Sequence, residues 1–218
     1  MIYDLIIVTQ SSPELIPITQ RCIDSAIEDT KDINVIIVET GKEHPYNNVN
    51  EFVRYEGLFN YNRALNQGLR YVKGDIYILA NNDLIFYPGW SMIGELMRLN
   101  DYHSASAIGG HQKQFPIGDI LYEGYYISIT LNGWCIFIDR YCLDKIGSLD
   151  ETCIFWFSDN LYASQIRAAG IKHALFCNCR VDHIASQTIN RQTSVIQHSY
   201  QIGETRKYIT RQRYYAKI

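Results

Sequence analysis

The sequence predicts an α/β fold built on one mostly parallel sheet with helices on its faces. Residues 2–9 and 33–38 are nearly continuous apolar runs, which is the pattern of strands buried on both sides. Strand and helix patterns alternate through the first half of the chain with short connections. Because parallel strands need a crossover that is usually a helix, this order indicates βαβ units rather than hairpins.

The length and composition of the chain agree with one globular domain. Its 218 residues are 47% hydrophobic and 20% charged, which excludes a disordered protein. No apolar run reaches the roughly 18 residues of a membrane span, and the N-terminus reads as a strand rather than a signal peptide. We therefore expect a cytoplasmic protein without a membrane segment.

The remaining elements of the first half follow from capping and turn signals. The expected elements are a helix that begins regularly at Pro17, a weaker strand at 51–55, a helix at 60–73 ended by Gly74, a strand at 75–80, a helix at 88–99 opened by Pro88, and a short strand at 105–109.

The second half has a different pattern. Residues 111–132 are irregular and rich in Gly and Tyr. The expected elements are then a strand at 134–139, helices at 141–146 and 159–169, a strand at 172–177, and a terminal helix at 193–215 broken or kinked at Gly203. We predict a core domain at 1–192, composed of a first half at 1–100 and a second half at 101–192, followed by a basic helical segment at 193–218.

The six cysteines do not form a metal-binding pattern. None is part of a C-x-x-C pair, and no second pair has the spacing of zinc ligands. We therefore expect buried, reduced thiols.

The end of the first strand excludes several nucleotide-binding classes. Residues 9–12 read Thr-Gln-Ser-Ser, without the glycines of a dinucleotide-binding turn or a P-loop. Dehydrogenase and kinase functions are therefore excluded, and a sugar-nucleotide pyrophosphorylase is disfavoured because it also needs a glycine-rich loop.

Polar side chains follow two of the buried strands. Glu39 ends the second strand, and Asn81, Asn82 and Asp83 end the fourth. Ligands of open α/β sheets bind at these carboxyl ends, where Glu39 could accept hydrogen bonds from a base or ribose. Asp83 could hold a divalent metal and, through it, a diphosphate, although Asn-Asn-Asp is also good turn chemistry.

Two blocks of the sequence resemble the inverting family 2 glycosyltransferases of the GT-A fold. The first block, residues 59–90, carries Asn60, Ala64, Asn66, Gly68, Gly74, Asp83, Pro88 and Trp90 at the family's spacing. The second, residues 133–170, carries Gly133, Lys145, Ile146, Gly147, Leu149, Asp150, Glu151, Asp159, Arg167, Ala169 and Gly170, and His183 follows the next strand. The resemblance covers roughly residues 2–186.

The resemblance implies transfer of a sugar from a nucleoside diphosphate sugar to an acceptor hydroxyl with inversion. Asp159 is the expected general base, since a carboxylate beside the attacking hydroxyl removes its proton. Its place at a helix start predicts a lowered pKa, and it could equally be an N-cap. Asp83 and His183 are the expected ligands of a divalent metal, Mn²⁺ or Mg²⁺, that holds the diphosphate.

The resemblance also implies that residues 1–100 are a nucleotide-sugar-binding half and residues 101–192 an acceptor half, and further donor and acceptor residues are expected in them. Thr9 and Glu39 are expected at the nucleobase, with Arg63, Asn81 and Asn82 on the donor side. Trp134 and Trp156 are expected beneath an acceptor sugar, although core packing is the usual role of tryptophan.

Three departures from the family pattern favour a second interpretation. Asn81 replaces the first acid of D-x-D, Ser158 replaces the first acid of the E-D pair, and Thr40 replaces an acid after the second strand. The alternative is a non-catalytic sugar-nucleotide-binding module on a degenerate GT-A scaffold.

The C-terminal segment is basic and rich in tyrosine. Residues 203–218 carry five cations and a single acid, Glu204, within a chain whose formal net charge is −3. Three interpretations are open: a solvated helix, a lid in which Arg206 and Arg211 clamp the donor diphosphate, and an acceptor platform. The acceptor would be a glycan or lipid-linked glycan, or alternatively a hydroxymethylated DNA base, because cations with interleaved aromatics suit nucleic acid.

Overall fold

The apolar runs of the sequence form the centre of one sheet in the computed structural model, which describes residues 1–42, 45–184 and 194–217. The strands are β1 (Tyr3–Thr9), β2 (Ile33–Glu39), β3 (Glu51–Arg54), β4 (Ile76–Asn81), β5 (Leu84–Phe86), β6 (Ser104–Ile108), β7 (Leu121–Glu123), β8 (Cys135–Asp139) and β9 (His173–His183). The helices are α1 (Ile16–Asp29), α2 (Tyr61–Gly68), α3 (Ile93–Leu99), α4 (Arg140–Ile146), α5 (Ser158–Ala168) and α6 (Ser194–Tyr215).

The sheet has a parallel half and a mixed half. Its strand order is β3-β2-β1-β4-β8-β6-β9-β5, and β7 pairs with β9. The first four strands in this order are parallel, β8 runs antiparallel between β4 and β6, and β6 is parallel to β9. The predicted α/β class is therefore confirmed, and its parallel part contains the two apolar runs.

The apolar strands are buried because helices cover both faces of the sheet. Leu5 and Ile7 of β1 belong to the hydrophobic cluster that contains residues of α1 and α3, whereas Ile6 belongs to the cluster that contains residues of α2, α4 and α5. Helix α2 approaches the sheet closely at Gly68, where an added Cβ would lie 2.5 Å from Ile6 Cγ2.

The structure extends one predicted strand, adds two strands that were not predicted, and removes a predicted break in the last helix. Strand β9 continues beyond residue 177 to His183, because Cys177, Cys179 and Val181 are buried in alternation with more exposed residues and Val181–His183 pair with β5. Strands β5 and β7 have only three residues each and were not predicted. Helix α6 runs without a break through Gly203. The predicted boundary at residues 192–193 lies outside the described residues.

The six cysteines are all buried free thiols, as predicted. Burial raises the pKa of each one, so they remain protonated and unreactive at neutral pH.

None of the helices within the described ranges combines the length and hydrophobicity needed to span a membrane.

Candidate active site

The carboxyl ends of β2, β1 and β4 lie side by side and form one edge of the sheet. Thr9 pairs with Glu39 across β1 and β2, and Val8 pairs with Asn81 across β1 and β4. This register brings together the strand-end residues that the sequence singles out, with Asp83 two residues beyond the end of β4.

Glu39 organises the loops that leave this edge. Its carboxylate accepts hydrogen bonds from the backbone N–H groups of Ser11 at 2.9 Å and Gly41 at 2.6 Å, and from the Ser11 hydroxyl. A carboxylate has about four acceptor positions, so most of its capacity is used within the protein. A nucleobase at Glu39 would therefore have to share the carboxylate with Ser11 and Gly41.

The Thr9 and Asn82 side chains are buried beneath the edge. Asn82 Nδ2 donates to the Thr9 hydroxyl at 3.2 Å and to the Thr19 hydroxyl at 3.0 Å, and the two hydroxyls lie 3.1 Å apart. These side chains join β1, α1 and the turn after β4. Thr9 is 3% exposed, and its carbonyl accepts hydrogen bonds from the N–H and the hydroxyl of Thr40, so its polar groups are already used within the protein.

Asp83 and His183 form a pair at the centre of the edge. Asp83 Oδ1 lies 3.0 Å from His183 Nε2, and the Asp83 side chain is only 5% exposed. The His183 ring stacks on Trp134 at a centroid distance of 5.7 Å. The extension of β9 creates this pair, because His183 is in register with Leu84 of β5. One face of the His183 ring is thus covered by Trp134.

The donor set of this pair fits a divalent cation. A carboxylate oxygen and an imidazole nitrogen suit Mn²⁺ or Mg²⁺, and such ions complete their coordination with substrate phosphates and water. In the described parts of the chain, no group of three or more His, Cys, Asp or Glu side chains is arranged to hold a metal. A metal at Asp83 and His183 would therefore depend on ligands from the donor.

Asn81 links the pair to α2. Its side-chain oxygen accepts a hydrogen bond from the Tyr61 hydroxyl at 2.7 Å, and its Nδ2 lies 3.3 Å from His183 Nε2. Tyr61 lies within electrostatic reach of both Asp83 and Asp159, and its pKa is raised by burial and by these carboxylates. Tyr61, absent from the sequence-based predictions, is thus influenced by both acidic positions while its hydroxyl donates to Asn81.

Asp159 is the second residue of α5 and packs against the start of β8. An added Cβ on Gly133 would lie 2.4 Å from Asp159 Cβ and 2.5 Å from its Oδ2. The next residue, Trp134, accepts the Asn81 N–H at 2.9 Å through its carbonyl. Gly133 therefore allows the Asp159 carboxylate to sit beside the edge that carries Asp83.

The environment of Asp159 corrects two sequence-based expectations. Burial raises its pKa, and the hydrogen bond from the Asn160 N–H opposes this only in part. The expectation of a lowered pKa was wrong because desolvation outweighs the helix N-terminus. Asp159 is also not the N-cap, which is Phe157 in a left-handed conformation at φ 65°.

Asparagines of the α2 motif hold the loop at residues 149–153. Asn60 Nδ2 donates to the carbonyls of Glu151 and Cys153 at 2.9 and 3.1 Å, and Asn62 Nδ2 donates to the Asp150 carbonyl at 2.7 Å. Asn66 donates to the Leu149 carbonyl and accepts its N–H, both at 2.9 Å. The two blocks of the resemblance are thus one structural unit.

Of the remaining predicted residues, Arg63 lies on α2, Trp156 follows the loop, and Arg206 and Arg211 lie on α6. Arg63 forms an exposed ion pair with Glu151 at 2.7 Å, and Arg211 pairs with Asp150. Trp156 donates its backbone N–H to Glu204 at 2.6 Å. Arg206 lines a groove of about 440 Å³, together with Thr152, Lys207, Thr210, Arg211 and Tyr214. The structure thus places the predicted clamp residues at this loop, with Arg211 paired to Asp150.

This architecture is that of GT-A glycosyltransferases: a mixed α/β sheet whose parallel half ends in acidic side chains. The model of "Glycosyl transferase family 2" matches residues 5–157, and the chain belongs to that family. A comparison with curated protein sequences finds no match.

Solved structures agree on the fold, and 222 of their chains match. A crystal structure of GalNAc-T7 with UDP, GalNAc and Mn²⁺ superposes with a TM-score of 0.66 at 12% identity. The superposition covers 84% of this chain and 44% of the GalNAc-T7 chain, so the present chain spans less than half of that protein's length.

Proposed function

We propose that this protein transfers a sugar from a nucleoside diphosphate sugar to an acceptor hydroxyl with inversion at the anomeric carbon. One observation carries the proposal: the Asp159 carboxylate packs on Gly133, next to the strand edge that holds the Asp83–His183 pair. Family membership supports glycosyl transfer, and this arrangement would supply the two groups that the reaction needs. These groups are a general base for the acceptor hydroxyl, Asp159, and a binding site for the leaving diphosphate, the Asp83–His183 pair.

Asp159 would act as the general base. Its ionised carboxylate would take the proton of the acceptor hydroxyl as the oxygen attacks the anomeric carbon. The raised pKa favours this role, because a carboxylate in a poorly solvated position is a stronger base than one in water. Where the family has a Glu-Asp pair, this chain has Ser158 and Asp159, so Asp159 is the acid at this helix start.

Asp83 and His183 would hold the donor diphosphate through a divalent metal. When bound, the metal would neutralise the negative charge that develops on the leaving diphosphate. The protein orients the pair by stacking His183 on Trp134 and by bonding Asn81 to Tyr61. Because the GalNAc-T7 structure contains UDP and Mn²⁺, these are the first probes to use.

Removal of the metal provides a direct test. We expect excess chelator to abolish turnover of a UDP-sugar and the rise in melting temperature produced by UDP, and added Mn²⁺ to restore both. Donor hydrolysis to free sugar is a suitable assay while the acceptor is unidentified. Unchanged activity in chelator would show that Asp83 and His183 do not hold a metal.

A DNA base is the second candidate for the acceptor. The observation that favours it is the groove of α6, whose lining combines Arg206 and Lys207 with Tyr214. We expect DNA binding by electrophoretic mobility shift at low salt, weakening steeply as salt rises. If no complex forms at low salt, a DNA acceptor is excluded and a glycan or lipid-linked glycan remains.

Hydrolysis also separates an enzyme from a non-catalytic sugar-nucleotide-binding module. A transferase is expected to release sugar slowly to water, whereas a module would raise its melting temperature with UDP and Mn²⁺ without consuming the donor. The buried reduced thiols agree with a cytoplasmic setting for either activity.

A further inference from the structure

The middle of the loop at residues 150–157, which leads to Asp159, is bound by a buried carboxylate of α6. Glu204 is 3% exposed and accepts the backbone N–H groups of three consecutive residues. Ile154 and Trp156 donate to different oxygens, Trp156 at 2.6 Å, and Phe155 lies between them at 3.2 and 3.3 Å. Successive N–H groups that converge on one anion form a rigid nest.

A second contact from α6 holds the residue at which the loop turns into α5. Phe157 has a φ of 65°, an uncommon value for a bulky residue that persists only where the surroundings enforce it. The Tyr208 ring stacks on the Phe157 ring at 5.0 Å with an interplanar angle of 3°. This turn sets the direction of α5 and therefore the position of Asp159, two residues further on.

The helix is also anchored at the start of the same loop. Asp150 accepts hydrogen bonds from Arg211 and from the Tyr215 hydroxyl, while its own N–H donates to Gln165 of α5 at 2.9 Å. Helix α6 thus contacts the loop at its beginning, its middle and its final turn.

We propose that α6 positions the general base, with Glu204 and Tyr208 as positioning residues that fix the loop and the turn before Asp159. The inference rests on the proposed role of Asp159. It assigns α6 a part in the reaction through the loop, separate from any contact of its cations with donor or acceptor.

The test compares Glu204→Gln with Tyr208→Ala and Tyr208→Phe in the full chain. The glutamine keeps the shape of Glu204 but turns an N–H₂ group toward the amides. We expect turnover of the UDP-sugar in Glu204→Gln and Tyr208→Ala to fall by up to about 10²-fold, as displacement of a reacting group by an ångström produces. Affinity for UDP with Mn²⁺ should stay at the wild-type value. Tyr208→Phe keeps the stacked ring and should retain turnover.

Two controls separate positioning from loss of stability. Gln212→Ala changes an exposed residue of the same helix, and Met97→Ala destabilises the core beneath α3. Neither should reduce turnover at a temperature where the protein remains folded. The proposal is overturned if Met97→Ala and Glu204→Gln have the same melting temperature and lose the same turnover. It is also overturned if Tyr208→Ala keeps wild-type turnover.

A thermal measurement tests the same inference without activity. Asp159→Asn should raise the melting temperature at neutral pH in the wild-type background, and by less in the Glu204→Gln background, where the released loop lets the carboxylate reach water. If Asp159→Asn raises the melting temperature equally in both backgrounds, the positioning role is overturned, because the stability effects of substitutions at independent sites are additive. Retained turnover in Asp159→Asn would instead overturn the proposed function.

Discussion

Replacement of Asp159 by asparagine is expected to abolish sugar transfer and to stabilise the protein. The general base contributes about 10²- to 10⁴-fold to the rate, so turnover of the UDP-sugar should fall by that factor. UDP binding, followed by calorimetry with Mn²⁺, should be nearly unchanged because the Asp83–His183 pair is intact. Retained turnover would show that another group removes the acceptor proton.

The stability effect of this change has a defined pH dependence. Burial raises the pKa of Asp159 above its usual value of 3.8, so its ionised form destabilises the native state at neutral pH. Wild-type protein therefore gains stability as the pH falls from the raised pKa toward 3.8, and the advantage of Asp159→Asn has disappeared below 3.8. Activity should fall over the same pH range, since the base becomes protonated. Asp144→Asn on exposed α4 is the matched control and should show neither effect.

Gly133→Ala is expected to have the second large effect. The new methyl group would lie 2.4 Å from Asp159 Cβ, so α5 or the start of β8 must move. We expect about 1–3 kcal/mol of destabilisation from overpacking and a loss of turnover of about 10²-fold from the displaced carboxylate. Chemical denaturation and hydrolysis of a UDP-sugar measure the two effects. Wild-type turnover in this variant would mean that Asp159 need not occupy its present position.

Gly203→Ala provides the matched control for this substitution. Nothing lies within 4 Å of the Cβ that would be added at Gly203, which is within α6. Since alanine favours a helix over glycine by about 1 kcal/mol, this variant should be more stable than wild type. Opposite signs for the two changes would separate close packing at Gly133 from a general effect of replacing glycine.

The part of the fold predicted from sequence is the part determined by local patterns. Residues of β1 and β2 are apolar because both sides of each strand are covered, and continuous runs reveal this. The extension of β9 to His183 was missed because the continuous apolar run ends at Cys177. Beyond it, buried residues alternate with the partly exposed Asn178, Arg180 and Asp182, which is the pattern of a strand with one buried face.

The sequence predicts which residues lie at the candidate site better than it predicts their pKa values. The strand-end position of Asp83 and the helix start at Asp159 follow from chain order. The raised pKa of Asp159 depends on how completely distant residues exclude water from it. Glu204 was counted only as the lone acid of a basic segment, because no local pattern indicates that amides fifty residues earlier in the chain converge on it.

The bonds between α2 and the loop at 149–153 have a consequence for how the protein folds. The partners Asn60, Asn62 and Asn66 are separated from the loop by 83 to 93 positions along the chain. Contacts of such high sequence separation form late and slow folding, because a long segment must be closed before they can form. Nascent chains that end before the loop emerges would therefore leave these asparagines without their partners. The hydrogen bonds between α2 and the loop therefore form only after residues 149–153 have been synthesised.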